Sequence, residues 1–147
     1  THSIDQILSL PDMRERIDLY NSQREAFLEQ IARCSGVYGN VVVLDYRNED
    51  IIYSGNRFLV YALFPECNIS IHLLRSRQAD TTVLAMGKSI LSRTNPVDIG
   101  GLCLQHGGGG HAAAGTCQIP ANEADALVPT IVQSLDKSIE LMESVEV

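Results

Sequence analysis

Apolar residues recur every three to four positions near the start of the chain. Met13, Ile17, Tyr20, Phe27, Leu28 and Ile31 form one stripe, the mark of a helix with a single buried face. Pro11 suits a first helical turn and Gly36 a stop, so the pattern predicts a helix over 11–34. Its polar side carries opposite charges four apart at Asp12/Arg16, Arg14/Asp18 and Glu29/Arg33. At about 36 Å such a helix is longer than a small domain needs, and it is expected to reach toward something outside the domain. The period then changes. The stretch VYGNVVVLDY, the short turn RNE and DIIYS predict two strands joined as a hairpin. A short helix follows, with Asn56 as its cap and Pro65 as its end. NISIHLLRSR alternates, with Ile69, Ile71 and Leu73 on one face and Ser70, His72 and Leu74 on the other. TTVLAMGKSIL opens as strand at Thr81, Thr82 and Val83 while its later residues would also suit a helix, and a strand to about Gly87 is expected. TNPVDIGGLCLQHG reads as a helix capped by Asn95, opened by Pro96 and closed by Gly107 as a left-handed residue. Thr116 to Ile119 form a last strand. A final helix begins near Asn122, with Leu127, Ile131, Leu135, Ile139 and Met142 in its stripe and Pro129 kinking it or delaying its start.

About five strands and four helices in mixed order predict an α/β fold, a mixed sheet with helices packed on it and a long connecting helix ahead of it. The 147 residues are enough for one real core. No apolar run approaches a membrane span, so no membrane partner is expected. Cys34, Cys67, Cys103 and Cys117 show no paired spacing, which disfavours a zinc site or a disulfide framework and suits a cytoplasmic protein with reduced thiols. The net charge of −7 argues against a general nucleic-acid coat. Only residues 72–120 are basic on balance, with Arg75, Arg77, Lys88 and Arg93 against Asp80 and Asp98.

That basic segment holds the stretch QHGGGGHAAAGTCQIP. One glycine, Gly107, suffices to end a helix. Gly108, Gly109 and Gly110 need another reason. Successive N–H groups free of Cβ atoms can cup an anion, and glycine lets a ligand approach the main chain. An anion site and a merely flexible connection both remain open on these grounds. The run follows a helix and lacks GxxxxGK[ST], so it is neither a P-loop nor a dinucleotide fingerprint. Lys88 and Arg93 read as surface charges, His72 as a packed or rim residue, and His106 as a helix-end cation. Tyr46 and Tyr53 are able to stack a base, although hairpin packing explains them equally.

GGGGHAAAG at 107–115, with RSR at 75–77 before it, resembles the C-terminal DHH-associated domain of the DHH phosphoesterases, in the exopolyphosphatase-like and nanoRNase branch. The resemblance covers nearly all of 36–147, and residues 1–35 look like the connecting helix from a preceding domain. It implies that Gly107 to Gly110 and His111 meet substrate phosphate, with His111 in the catalytic role, and that Arg75, Ser76 and Arg77 contact the substrate. It implies a substrate that is a short oligonucleotide, a cyclic dinucleotide or polyphosphate. It also implies an N-terminal DHH domain in cis holding two divalent ions, as a rule manganese. This chain has no Asp-His-His, and its own cofactor set is expected to be empty. The chain therefore looks like the substrate-binding part of a longer hydrolase, inactive by itself. An uncovered interdomain face would favour a homodimer. Two other readings are a stand-alone phosphate-binding or regulatory module, and the related RNA-binding accessory domain of alanyl-tRNA synthetases. The histidine directly after the glycines favours the phosphoesterase type over the last.

Overall fold

The computed structural model describes residues 6, 11–53, 55, 58–77, 80–89 and 97–145, with the side chains of Asp12, Phe58 and 137–145 left aside. Helix α1 spans Pro11–Cys34, as its stripe predicts. Strands β1 (Ser35–Tyr38) and β2 (Val41–Asp45) follow, then α2 (Phe58–Leu63), β3 (Ile69–Arg75) and β4 (Thr81–Lys88). Next come α3 (Ile99–Gln105), β5 (Gly109–His111), β6 (Ala114–Pro120), a 3-10 turn and α4 (Ala124–Val145). One sheet of six strands takes the order β1-β2-β3-β4-β6-β5. Only β2 and β3 run parallel, joined by a crossover through α2. The outcome is the α/β architecture expected, with one strand more.

Several local expectations fail for identifiable reasons. The hairpin lies earlier than predicted. Gly39 at φ +63 and Asn40 form a two-residue turn pairing β1 with β2, and Ile51 to Tyr53 make no strand. Glycine first in such a turn matches the strand twist, a signal stronger than the apolar run that hid it. Helix α3 starts at Ile99 with Asp98 as its cap, whose Oδ1 accepts from Gly101 N–H at 3.1 Å. Asn95 and Pro96 lie outside the described residues, as do Asn56, Arg93 and His2. Pro129 does not delay α4; it sits in its second turn, where its missing N–H costs one bond to the Asp125 carbonyl.

Side-chain alternation sorts the core into two layers. Val41, Val43, Ile69, Ile71, Leu73, Leu84 and Met86 pack under α3 and α4, meeting Ile99, Cys103, Ile131 and Leu135. Val42 and Leu44 face the other way, against Phe27 and Ile31 of α1 and Val60 of α2. Each such side chain contributes about 1.5–3 kcal/mol by leaving water. Only the last third of α1 takes part. From Arg14 to Glu25 every side chain is exposed, Ile17 and Tyr20 included. Arg33 does not pair with Glu29 but with Glu49.

Two polar devices fix the layers. Gln30, 1% exposed, uses every group it has. Its Nε2 donates to Ile51 O at 2.7 Å and Glu49 Oε1 at 3.1 Å, and its Oε1 accepts from Tyr53 N–H at 2.9 Å. Arg47 grips Asp45 through Nε and Nη2 and reaches Asp125 through Nη1 at 2.9 Å, tying the end of β2 to the start of α4.

Gln30→Leu is expected to cost roughly 1–3 kcal/mol, because it strands Ile51 O and Tyr53 N–H; chemical denaturation measures it, and an unchanged midpoint would refute the role. The Arg47 guanidinium holds the Asp45 carboxyl below its ordinary value, with burial opposing. A depressed carboxyl stabilises the fold above the unfolded pKa, about 3.9, and that contribution disappears as pH falls through the folded value. Asp45→Asn should therefore lower stability slightly at pH 7, by less than about 1 kcal/mol for so exposed a pair. The gap should close in acid, which melts across the acid range will show.

Candidate substrate-binding site

The four glycines do not form one flexible loop. Gly107, at φ +79, ends α3 in a Schellman motif: its N–H donates to Leu104 O at 3.0 Å and the Gly108 N–H to Cys103 O at 2.8 Å. This bears out the expectation for Gly107. A Cβ at Gly108 would lie 2.0 Å from Thr116 O, so that glycine lets the main chain pass directly over β6. Gly110 combines φ +150 with a place 2.3 Å from Ala114 O for the missing Cβ. Gly109 differs from all three: its φ is not positive, and an added Cβ would meet nothing within 4 Å. Three of the four glycines are thus explained by the fold.

Gly109 and Gly110 pair with Thr116 and Gly115, and His111 with Ala114. The last strand therefore begins two residues earlier than expected, and Gly109–His111 becomes the sheet's outer strand. The turn at Ala112–Ala113 is clamped from two sides. Lys88 N–H donates to Ala113 O at 2.9 Å, and Ile99 N–H donates to Ala112 O at 3.1 Å. His111 is exposed, and its Nδ1 accepts from Ala113 N–H at 3.3 Å. That bond places the neutral ring's proton on Nε2, which leaves a donor on the outer side of the ring.

The register separates the two groups of candidate residues. Ser70, Gly87, Ala114 and His111 stand in one row across β3, β4, β6 and β5. Arg75 lies five positions further along β3, roughly 17 Å at the usual strand rise, and pairs with Thr82. It also shares the parity of Ile69, Ile71 and Leu73, so it belongs to the opposite face from His111. Ser76 and Arg77 lie at the turn into β4, where Ser76 N–H donates to Thr81 O. Arg75, Ser76 and Arg77, expected to contact the substrate, therefore lie apart from Gly107 to Gly110 and His111, and any contact they make would be to another part of it. A strand of seven residues carries its end away from its beginning. The basic residue whose backbone touches the histidine hairpin is Lys88, and its pairing with Ile69 puts its side chain on the face opposite His111. The pairing of β4 with β6 could not be read from a single strand.

Among the described residues no three His, Cys, Asp or Glu side chains converge as a metal site. Asp98 is a cap and Asp45 an ion-pair partner. Burial pushes the Cys117 thiol up to about 12, beside Cys103, so both are poor nucleophiles. No helix among the described residues is long and apolar enough to cross a membrane.

The six-stranded mixed sheet with helices packed on it agrees with the mixed α/β fold expected. Over 93% of its length the chain matches a solved structure described as the pGpG-specific phosphodiesterase PggH from Vibrio cholerae, with 50% identity and a TM-score of 0.84. The chain belongs to the DHH phosphoesterase family. It spans 47% of the length of that Vibrio protein. An uncharacterised protein from Helicobacter pylori G27 is aligned over 92% of this chain and 34% of its own, at 15% identity and a TM-score of 0.38, too distant to inform the reading. No family profile and no curated protein matches the chain.

Gly108→Ala and Gly110→Ala are each expected to lower the melting temperature markedly, because the Cβ would collide with main chain. Gly109→Ala should melt within about 0.5 kcal/mol of the parent. Thermal melts of the three variants would refute this if Gly109→Ala proved the most damaging.

Proposed function

We propose that this chain is the substrate-binding part of a metal-dependent phosphoesterase that cleaves short oligonucleotides, with His111 and Gly109 meeting the substrate phosphate. The observation that carries the reading is the 50% identity to a phosphodiesterase named for a linear dinucleotide, over nearly the whole chain. It favours a short oligonucleotide over polyphosphate or a cyclic dinucleotide. The hairpin geometry supports the roles. His111 Nε2–H is a donor on a turn held by Lys88 and Ile99, so little ordering remains to be done on binding. Gly109 leaves the main chain open where a phosphate oxygen would approach. Gly107, Gly108 and Gly110 act by shaping the hairpin, and Arg75, Ser76 and Arg77 stand too far away to share that phosphate.

The divalent ions implied by the family, manganese by preference, would supply the attacking hydroxide and neutralise developing charge. The described residues offer no set that fits them, and we assign them to a DHH domain elsewhere in the polypeptide. Within this chain, the step is hydrogen bonding: Nε2–H donates to a phosphate oxygen as negative charge builds on it, a preorganised donor of the oxyanion-hole kind. Four free cysteines suit work in the cytoplasm.

In the full-length protein, His111→Ala should lower kcat/KM for a linear dinucleotide by roughly 10²–10³, as for loss of one such donor. His111→Asn, which keeps a donor, should fall between. The melting temperature should hold, since His111 is exposed. Turnover within about threefold of the parent would reject the role. The isolated 147-residue chain should not hydrolyse the dinucleotide with manganese; turnover by the purified chain would overturn the division of labour.

A further inference from the structure

On the face of the sheet that carries His111 lies a concavity. Its walls are Phe27 of α1, Tyr46, Tyr53, Val60 of α2, His72 of β3 and Ala85 of β4, around about 230 Å³. That is less than the roughly 300–1,000 Å³ that takes a whole drug-sized ligand, and suits a single flat ring system. Phe27 and Tyr46 are 6% and 4% exposed and form its fixed interior. The Tyr46 and His72 rings lie 5.8 Å apart, tilted by 48°. Tyr53 and Ile52 stand at the rim, 36% and 47% exposed. The rim is built, not loose. Gln30 holds Ile51 O and Tyr53 N–H, and Gly55 lets the chain close on Phe27, where a Cβ would come within 2.5 Å of the ring.

Register connects this cavity to the hairpin. His72, Ala85, Thr116 and Gly109 form one row across the sheet, adjacent to the row that ends in His111. Gly109 stands two strands from Ala85, roughly 10 Å away. Ala85, Gly87, Ala114 and Thr116 floor the space between, all short side chains on the same face. Gly87 has no positive φ, and its missing Cβ would meet nothing nearer than Ala113 O at 3.9 Å. Neither Gly87 nor Gly109 is required by the fold, and both border this floor.

We propose that the cavity seats a nucleobase of the oligonucleotide whose phosphate meets the hairpin, stacked among Tyr53, Tyr46 and His72. The proposal rests on the phosphate reading above. Aromatic walls without carboxylate or amide side chains favour stacking over edge recognition, so the site takes a base by its face and tolerates more than one.

The test separates base from phosphate. The ¹⁵N-labelled 147-residue chain is titrated with guanosine, which has no phosphate, and with ribose 5-phosphate, which has no base, while amide shifts are followed. Guanosine should move the amides of Tyr53, Gly55, His72 and Ala85, and ribose 5-phosphate those of Gly109 to His111. Tyr53→Ala, at an exposed rim, should weaken guanosine binding by about tenfold and leave the ribose 5-phosphate shifts unchanged. If saturating guanosine leaves the cavity amides unmoved, or if Tyr53→Ala binds it as the parent does, the nucleobase site is overturned and the phosphate reading stands. If ribose 5-phosphate leaves the hairpin unmoved, the phosphate reading fails, and the guanosine arm alone decides whether the cavity takes a base.

Discussion

Main chain rests directly on main chain where α3 turns into the sheet, and the candidate site depends on that contact. At Gly108 even a methyl group would come within 2.0 Å of Thr116 O, and at Gly100 within 2.7 Å of the backbone of Gly110 and His111. With no side chains between them, α3, β5 and β6 have little room for relative movement. The Schellman bonds at Gly107 and Gly108 then close the end of the helix. His111 inherits its position from this assembly, three residues beyond the contact.

Rigidity of that kind would suit the phosphate contact proposed for the hairpin of this acidic chain. With a net charge of −7, long-range attraction does little for a phosphate ligand. What remains is short-range: donors already in place, on a turn whose carbonyls are occupied by Lys88 and Ile99 N–H groups. Directed hydrogen bonds cost little when their donors need no reordering, and they discriminate by geometry, where a basic patch would attract any polyanion.

Other polar contacts hold the elements of the domain to one another. Arg47, Asp45 and Asp125 sit at the opposite end of the strands and join β2 to α4. Residues 14–25 of α1 stand clear of both cores with Ile17 and Tyr20 exposed, in keeping with a helix whose apolar stripe continues beyond the part this domain can cover. Gln30 marks where the helix does join the domain, and its three bonds fix the segment that rims the aromatic cavity.

The sequence by itself determined the elements whose signals are local. The 3.6-residue stripe placed α1 from Pro11 to Cys34, alternation placed β3 with its correct inward residues, and Gly107 declared the end of α3. It also carried the family resemblance, because GGGGHAAAG is contiguous. Tertiary structure decided everything that depends on pairing. RSR at 75–77 and GGGGH at 107–111 are both candidate substrate contacts along the chain, with nothing local to say how far apart they stand. The antiparallel run of β3, β4 and β6 sends them to opposite ends and opposite faces of the sheet, since each strand reverses direction and each residue step reverses the side. For the same reason a run of four glycines resolved into separate cases: Gly107 ends a helix at positive φ, Gly108 and Gly110 meet neighbouring main chain, and Gly109 does neither. Lys88 beside the hairpin, and the aromatic cavity assembled from α1, α2, β3, β4 and the 46–55 segment, came into view only once those distant stretches were brought together.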